Sequence, residues 1–285
     1  MSEPVVALRS LLNSTVNFVS QLENRFPDPA PGSPAATDEA ANTEFAGPWD
    51  PVPLTTCQSG PDLAALNTLD ALLGLARLLQ GDTVLWFADQ PLVRVVLEAS
   101  ARAWWWYDPT VDSRERLQRG WTERLHALHE EAKFRRNMKI DPTGHTSRIL
   151  DGCRALNLPL HTPPKKAPYV GRARHDTTLL VRMMLSNEGD TFPLGEVLYR
   201  MSSAMTHSVS TGLMLRLEAG ERIGPHVRKA EPRPRSVAEL WTDHGAALLA
   251  FQRMETRRLT YFGWAGPEWA TWCKTIRDKV THYTR

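Results

Sequence analysis

PLVRVVLEASARAWWWYDP, residues 91–109, is the stretch whose reading decides the fold. Wound as a helix it is apolar over most of its circumference, with Leu92, Val93, Val95, Val96, Leu97, Ala99, Ala101 and Ala103. A helix of that kind packs on several sides and so lies at the centre of its fold. Arg94, Glu98 and Arg102 break the pattern at i, i+4 and i+8, one line along the helix. The line is either a narrow solvated stripe or a charge array facing a cleft. Trp104, Trp105, Trp106 and Tyr107 span a full turn, so the four rings cannot all face inward. Trp104 falls near the apolar face and reads as core; Trp105 reads as a wall of a cleft or contact surface. The helix stops at Asp108–Pro109, because a residue before proline avoids the α region.

Working outward, residues 4–25 repeat apolar side chains at helical spacing, from Val5 to Leu22, and form an amphipathic first helix. Residues 26–62 carry eight prolines and read as a flexible linker that tethers this helix to the body, residues 63–285. Within the body, Leu63–Leu79 is a leucine-rich helix that starts behind Pro61 and ends at Gly81. Asp89 suits the N-cap of the central helix. Ser113 opens a long charged helix to about Met138, and further helices cover Ser147–Leu156, Asp176–Ser186 and Asp190–Leu217. Ser236-Val-Ala-Glu239 is a capping box for a helix to about Leu259, and Pro267 opens the last one. No stretch of five residues alternates as a strand does. The expectation is an all-α helical bundle with a tethered N-terminal helix.

Composition narrows the function classes. The 285 residues carry a formal net charge of +2, so no global field selects a partner. The charge is uneven: ten bases stand between Lys133 and Arg174 against two acids, and Arg222–Arg235 adds a second basic run. Both segments suit RNA or a phosphate-bearing ligand. Cys57, Cys153 and Cys273 form no pair of ligand or disulfide spacing, and there is no apolar run of transmembrane length. The chain is expected to be cytoplasmic, off the membrane and without a bound cofactor.

Chemistry concentrates in LYRMSSAMTHSVSTGL, residues 198–213. Tyr199, Ser203 and His207 are spaced by four and stack on one helix face, while Arg200 and His207 lie one heptad apart. His207 suits a general acid or base, and Arg200 suits a phosphate or carboxylate clamp. If this helix packs on the central one, Glu98 and His207 approach each other with Arg94 or Arg102 beside them. Glu123-x-x-His126 on the charged helix has the spacing of a carboxylate-bridged metal ligand pair, with His129 near it. Its arginine-rich flanks, Arg116 and Arg119 among them, read instead as a solvated face with i,i+4 ion pairs.

Arg200-x6-His207 on a late helix resembles the signature of the HEPN superfamily. A central helix with Arg, Leu-Glu and aromatics, followed by Tyr-x-x-x-Ser-x-x-x-His, is also similar to HEPN-like, abortive-infection-related bacterial proteins. The resemblance covers residues 63–217. It implies a metal-independent ribonuclease-type toxin or defence factor that works as a homodimer. In that role His207 would assist attack of the ribose 2′-hydroxyl and Arg200 would stabilise the phosphorane. Two other functions stay open: a noncatalytic binding module using Arg94, Glu98, Arg102, Tyr199, Ser203 and Trp105, and a metal-dependent helical oxidase.

Overall fold

Prolines mark where several of the helices begin. A computed structural model describes residues 2–80, 87–137, 143–186, 193–209, 217–222, 228–233 and 235–284. Among them are ten helices: α1 Glu3–Arg25, α2 Pro34–Phe45, α3 Pro53–Leu78, α4 Gln90–Trp106, α5 Ser113–Asn137, α6 Thr143–Ala155, α7 Thr177–Leu185, α8 Leu194–Thr206, α9 Val237–Phe262 and α10 Pro267–Thr284. The architecture is an all-α bundle.

Helix α4 is central: it packs against α3, α5, α7, α8 and α9. Val93, Val96, Leu97, Ala101 and Ala103 are buried in the main core, and the small alanines let the neighbouring helices close on it. A second, smaller core gathers Phe45, Leu54, Leu117, Trp121, Leu125 and Cys153 around α5. Where α5 meets α3 the backbones come very close. A Cβ on Gly120 would lie 2.4 Å from the Cβ of Cys57, so only glycine fits this crossing.

The flexible linker expected over residues 26–62 is corrected by α2 and by the early start of α3. Ser33 caps α2 by accepting from the Ala36 N–H at 3.2 Å, with Pro34 in the first turn. Proline there costs nothing, because that N–H has no helical partner anyway. Asn42 on α2 then caps α3 from outside, its Oδ1 accepting from the Leu54 N–H at 2.9 Å. Pro61 lies within α3, where it forfeits one backbone bond without ending the helix. The prolines bracket the helices, and their density concealed that.

Helix α1 is likewise part of the main core. Leu8, Leu11, Leu12 and Val19 are buried in it, Trp241 Nε1 donates to the Pro4 carbonyl at 3.1 Å, and Phe18 stacks on Trp272 at 5.3 Å. The absence of strands is also corrected. Leu160–His161 (β1) pairs with Tyr169–Val170 (β2), and Leu217–Arg222 (β3) with Arg228–Pro232 (β4), both antiparallel. The first ribbon is two residues deep, and neither strand of the second alternates apolar with polar, so no period-two signal existed to be read.

Helix α8 ends at Thr206, well short of Leu217. His207 leaves the helical range (φ −90°, ψ 10°) and Ser208 is left-handed at φ 53°. The Ser208 N–H bonds the Met205 carbonyl and the Val209 N–H bonds that of Ala204, the paired reverse bonds of a Schellman termination. Residues 190–192 and 210–216, which the expected helix also took in, lie outside the described residues, as does Met138 of the expected charged helix.

Candidate functional site

The line Arg94–Glu98–Arg102 on α4 is neither buried nor freely solvated: the three side chains are 23%, 34% and 22% exposed. Because α8 packs on α4, its C-terminal cap lands on this line. Arg94 Nη1 lies 2.7 Å from His207 Nε2, and its Nη2 lies 3.8 Å from Glu98. A guanidinium only donates, so His207 Nε2 accepts and its proton sits on Nδ1. The Tyr199 ring lies 6.0 Å from the same guanidinium, and among the described residues Arg94 Nε has no hydrogen-bond partner. Arg94 thus stands between Glu98 and His207.

The line continues past α4. Arg102 reaches Glu98 at 3.5 Å, Thr177 Oγ1 at 2.5 Å and Glu123 at 3.5 Å. Glu123 receives Arg174 Nε on both oxygens at 2.9 Å, and Arg174 Nη1 lies 3.5 Å from His126 Nε2. The two constellations read separately in the sequence therefore form one seam joined by Arg102. Burial and then Arg174 hold the His126 imidazole below its ordinary pKa. Guanidiniums occupy the positions beside these carboxylates that a metal ion would need, and among the described residues no three metal-ligating side chains converge.

The seam also continues inward. Gln90 stands one turn before Arg94 on the same line, and its Nε2 donates to Asp243 Oδ2 at 2.8 Å. Arg235 joins Asp243 to Asp89, its side chain 1% exposed. His244 is fully buried beside them, with Nδ1 on the Leu240 carbonyl at 2.9 Å and Nε2 3.5 Å from Asp89 Oδ2. A carbonyl can only accept, so Nδ1 carries the proton. Burial lowers the pKa and keeps the ring neutral, so the contact with Asp89 is not an ion pair. Among the described residues Asp89 Oδ1, Arg235 Nε and His244 Nε2 make no hydrogen bond. Asp89 stands at the expected N-cap position, but its side chain makes no capping bond and is half of an interior ion pair instead.

His244 sets a pH dependence of stability. Its unfolded imidazole titrates near 6.5 and its folded one lower. Its contribution is therefore complete above about pH 6.5 and declines as pH falls toward the folded value. His244→Asn retains a donor for Leu240 and removes the titration. Urea unfolding across this window is expected to give a difference between wild type and variant that changes with pH; a constant difference would show that His244 does not titrate on unfolding.

Several expected site residues lie elsewhere. Arg200 is 69% exposed and pairs with Glu196 at 2.9 Å, so it does not join His207: the helix ends one residue before the heptad closes. Ser203 meets His207 through its backbone carbonyl, at 3.0 Å. Trp105 faces a separate small cavity of about 200 Å³, edge-on to His175 and under Arg119. Trp104, expected in the core, is half-buried under Arg257, whose guanidinium carbon lies 3.7 Å from the ring centroid. Arg116 corrects the solvated reading of α5. It is 1% exposed, 2.6 Å from Asp38, and donates to the carbonyls of Trp106, Asp108 and Val111.

The basic segments are partly neutralised within the fold. Lys133, Arg154 and Arg174 pair with Glu130, Asp151 and Glu123, and Arg233 and Arg235 pair with Glu239, Asp89 and Asp243. Among the described residues no helix is long and apolar enough to cross a membrane. No protein-family model, curated protein or solved structure matches the chain.

Proposed function

We propose that this chain is a helical binding module and that the seam along α4 is its recognition surface for a phosphate-bearing ligand. The observation that supports this reading is the Arg94–His207 contact at 2.7 Å, beside an Arg94 Nε with no partner among the described residues. A neutral imidazole is a weak acceptor for a guanidinium. A phosphate oxygen replaces it with a charged one, which a guanidinium holds more strongly. In the outer part of the seam Arg94, Arg102 and Arg174 outnumber Glu98 and Glu123, so that part keeps positive charge for the incoming anion. Pyrophosphate is expected to raise the melting temperature, as binding to the folded state must. Arg94→Gln weakens that binding roughly ten- to a hundredfold. No stabilisation by pyrophosphate, or equal stabilisation of the variant, would sink the reading.

The same contact favours a second reading, the ribonuclease-type reaction of a homodimer, with Arg94 in the place the resemblance gives to Arg200. Incubating short single-stranded RNA with the protein in EDTA separates the two. Intact, salt-sensitive bound RNA supports the binding module; cleavage that His207→Ala abolishes supports the nuclease.

A further inference from the structure

Away from the seam, the end of α4 and one face each of α9 and α10 line an open groove of about 670 Å³. That is the size of pocket that accommodates a small organic molecule. Helical spacing builds it. Gln252 and Thr256 share a line on α9, Arg253 and Arg257 share the adjacent one, and Trp269, Cys273 and Arg277 share one on α10. Trp104 closes the side toward α4, and Ala265, Pro267 and Ala270 line it at the α9–α10 turn.

The walls have two characters. Much of the lining is flat and apolar, supplied by Trp104, Trp269, Ala265, Pro267 and Ala270. The rest is cationic: three arginines line the groove and, among the described residues, no aspartate or glutamate does. Two of these arginines already have partners. Arg257 holds Asp108 at 3.2 Å and the Trp104 carbonyl at 2.9 Å, and Arg253 donates to the carbonyls of Met184 and Ser186. Arg277 is exposed, and among the described residues it has no ion pair or hydrogen bond. An apolar groove with one unpaired guanidinium at its edge matches a particular kind of molecule.

We propose that this groove is a second ligand site, independent of the α4 seam, for a flat apolar molecule bearing one carboxylate. The body of the ligand lies among Trp104, Ala270 and Pro267, and its carboxylate pairs with Arg277, which can hold it bidentately. Three substances separate the contributions: naphthoate, its uncharged amide of the same shape, and benzoate, which keeps the charge on a smaller apolar body.

The test is calorimetric titration of the full chain, with thermal shift as a second readout. Naphthoate is expected to bind, the amide and benzoate each at least about tenfold more weakly. Ala270→Trp fills the groove and Arg277→Glu reverses the charge at its edge; both positions are exposed, so the fold tolerates each change. Both variants are expected to lose naphthoate binding, while Arg94→Gln retains it. Binding that survives both groove variants would overturn the proposal, as would binding of the amide equal to that of naphthoate. A wild-type protein that takes up none of the three at millimolar concentration overturns it as well. Failure of pyrophosphate to bind at the seam leaves these outcomes unaffected.

Discussion

Arg235→Met destabilises the protein by about 3–5 kcal/mol. Arg235 bridges two interior carboxylates, Asp89 and Asp243, which are 0% and 10% exposed at their side chains. Methionine fills much of the volume and restores none of the charge. Gln90 still donates to Asp243, but Asp89 loses the cation that pairs with it among the described residues. One feature distinguishes this loss from simple repacking. It is smaller in the triple variant Asp89→Asn/Asp243→Asn/Arg235→Met, which removes all three charges. Urea denaturation at neutral pH measures it, and a cost below about 1 kcal/mol would show that the ion pair carries little of the fold's stability.

Arg116→Met is expected to be comparably severe, about 3–5 kcal/mol, which lowers the melting temperature by on the order of 10 °C. Its guanidinium uses Nε on Asp38 and both terminal nitrogens on the carbonyls of Trp106, Asp108 and Val111. It also lies 4.8 Å from the ring centroid of Tyr261, whose hydroxyl donates to the same Asp38 at 2.9 Å. The residue therefore ties the end of α4, the turn behind it and α2 to the body. Arg116→Lys cannot reproduce that planar fork and recovers only part of the loss. Differential scanning calorimetry of the two variants decides the matter; a lysine variant as stable as wild type would mean that charge alone suffices here.

The central helix was legible because its apolar residues cover nearly every face, a pattern that a solvated helix cannot carry. The line Arg94–Glu98–Arg102 was legible for the complementary reason: charges in register on such a helix must be accommodated together. Gln90 extends the same line by one turn and was missed because the helix was taken to begin at Pro91. Asp89, Arg235 and Asp243 were out of reach altogether. The pair Asp89–Arg235 spans 146 residues, and no local periodicity encodes a partner at that distance. Arg116 misled through its neighbourhood. The average over α5 is strongly polar, yet Leu117, Trp121, Leu125 and Leu128 form a buried stripe beside it. Arg200 misled through geometry: heptad counting places it with His207 only if the helix continues, and Ser208 turns the chain first. In residues 26–62 the positions of the prolines mattered more than their number, since Pro34 and Pro53 stand where a helix accepts them.

The docking of α1 bears on how the chain reaches this fold. Its contacts with the body include Pro4 to Trp241, Glu23 to Arg258 and Arg25 to Glu268, separations of 237, 235 and 243 residues. During synthesis α1 emerges long before α9 and α10, and among the described residues α3 is the earlier element that covers part of its apolar side. Closing loops of that length delays the reward for ordering them, so this all-helical chain has the long-range topology that slows assembly in β proteins. Leu8, Leu11, Leu12 and Val19 are then a sticky surface on the nascent chain, and a natural point of engagement for a chaperone before α9 and α10 arrive.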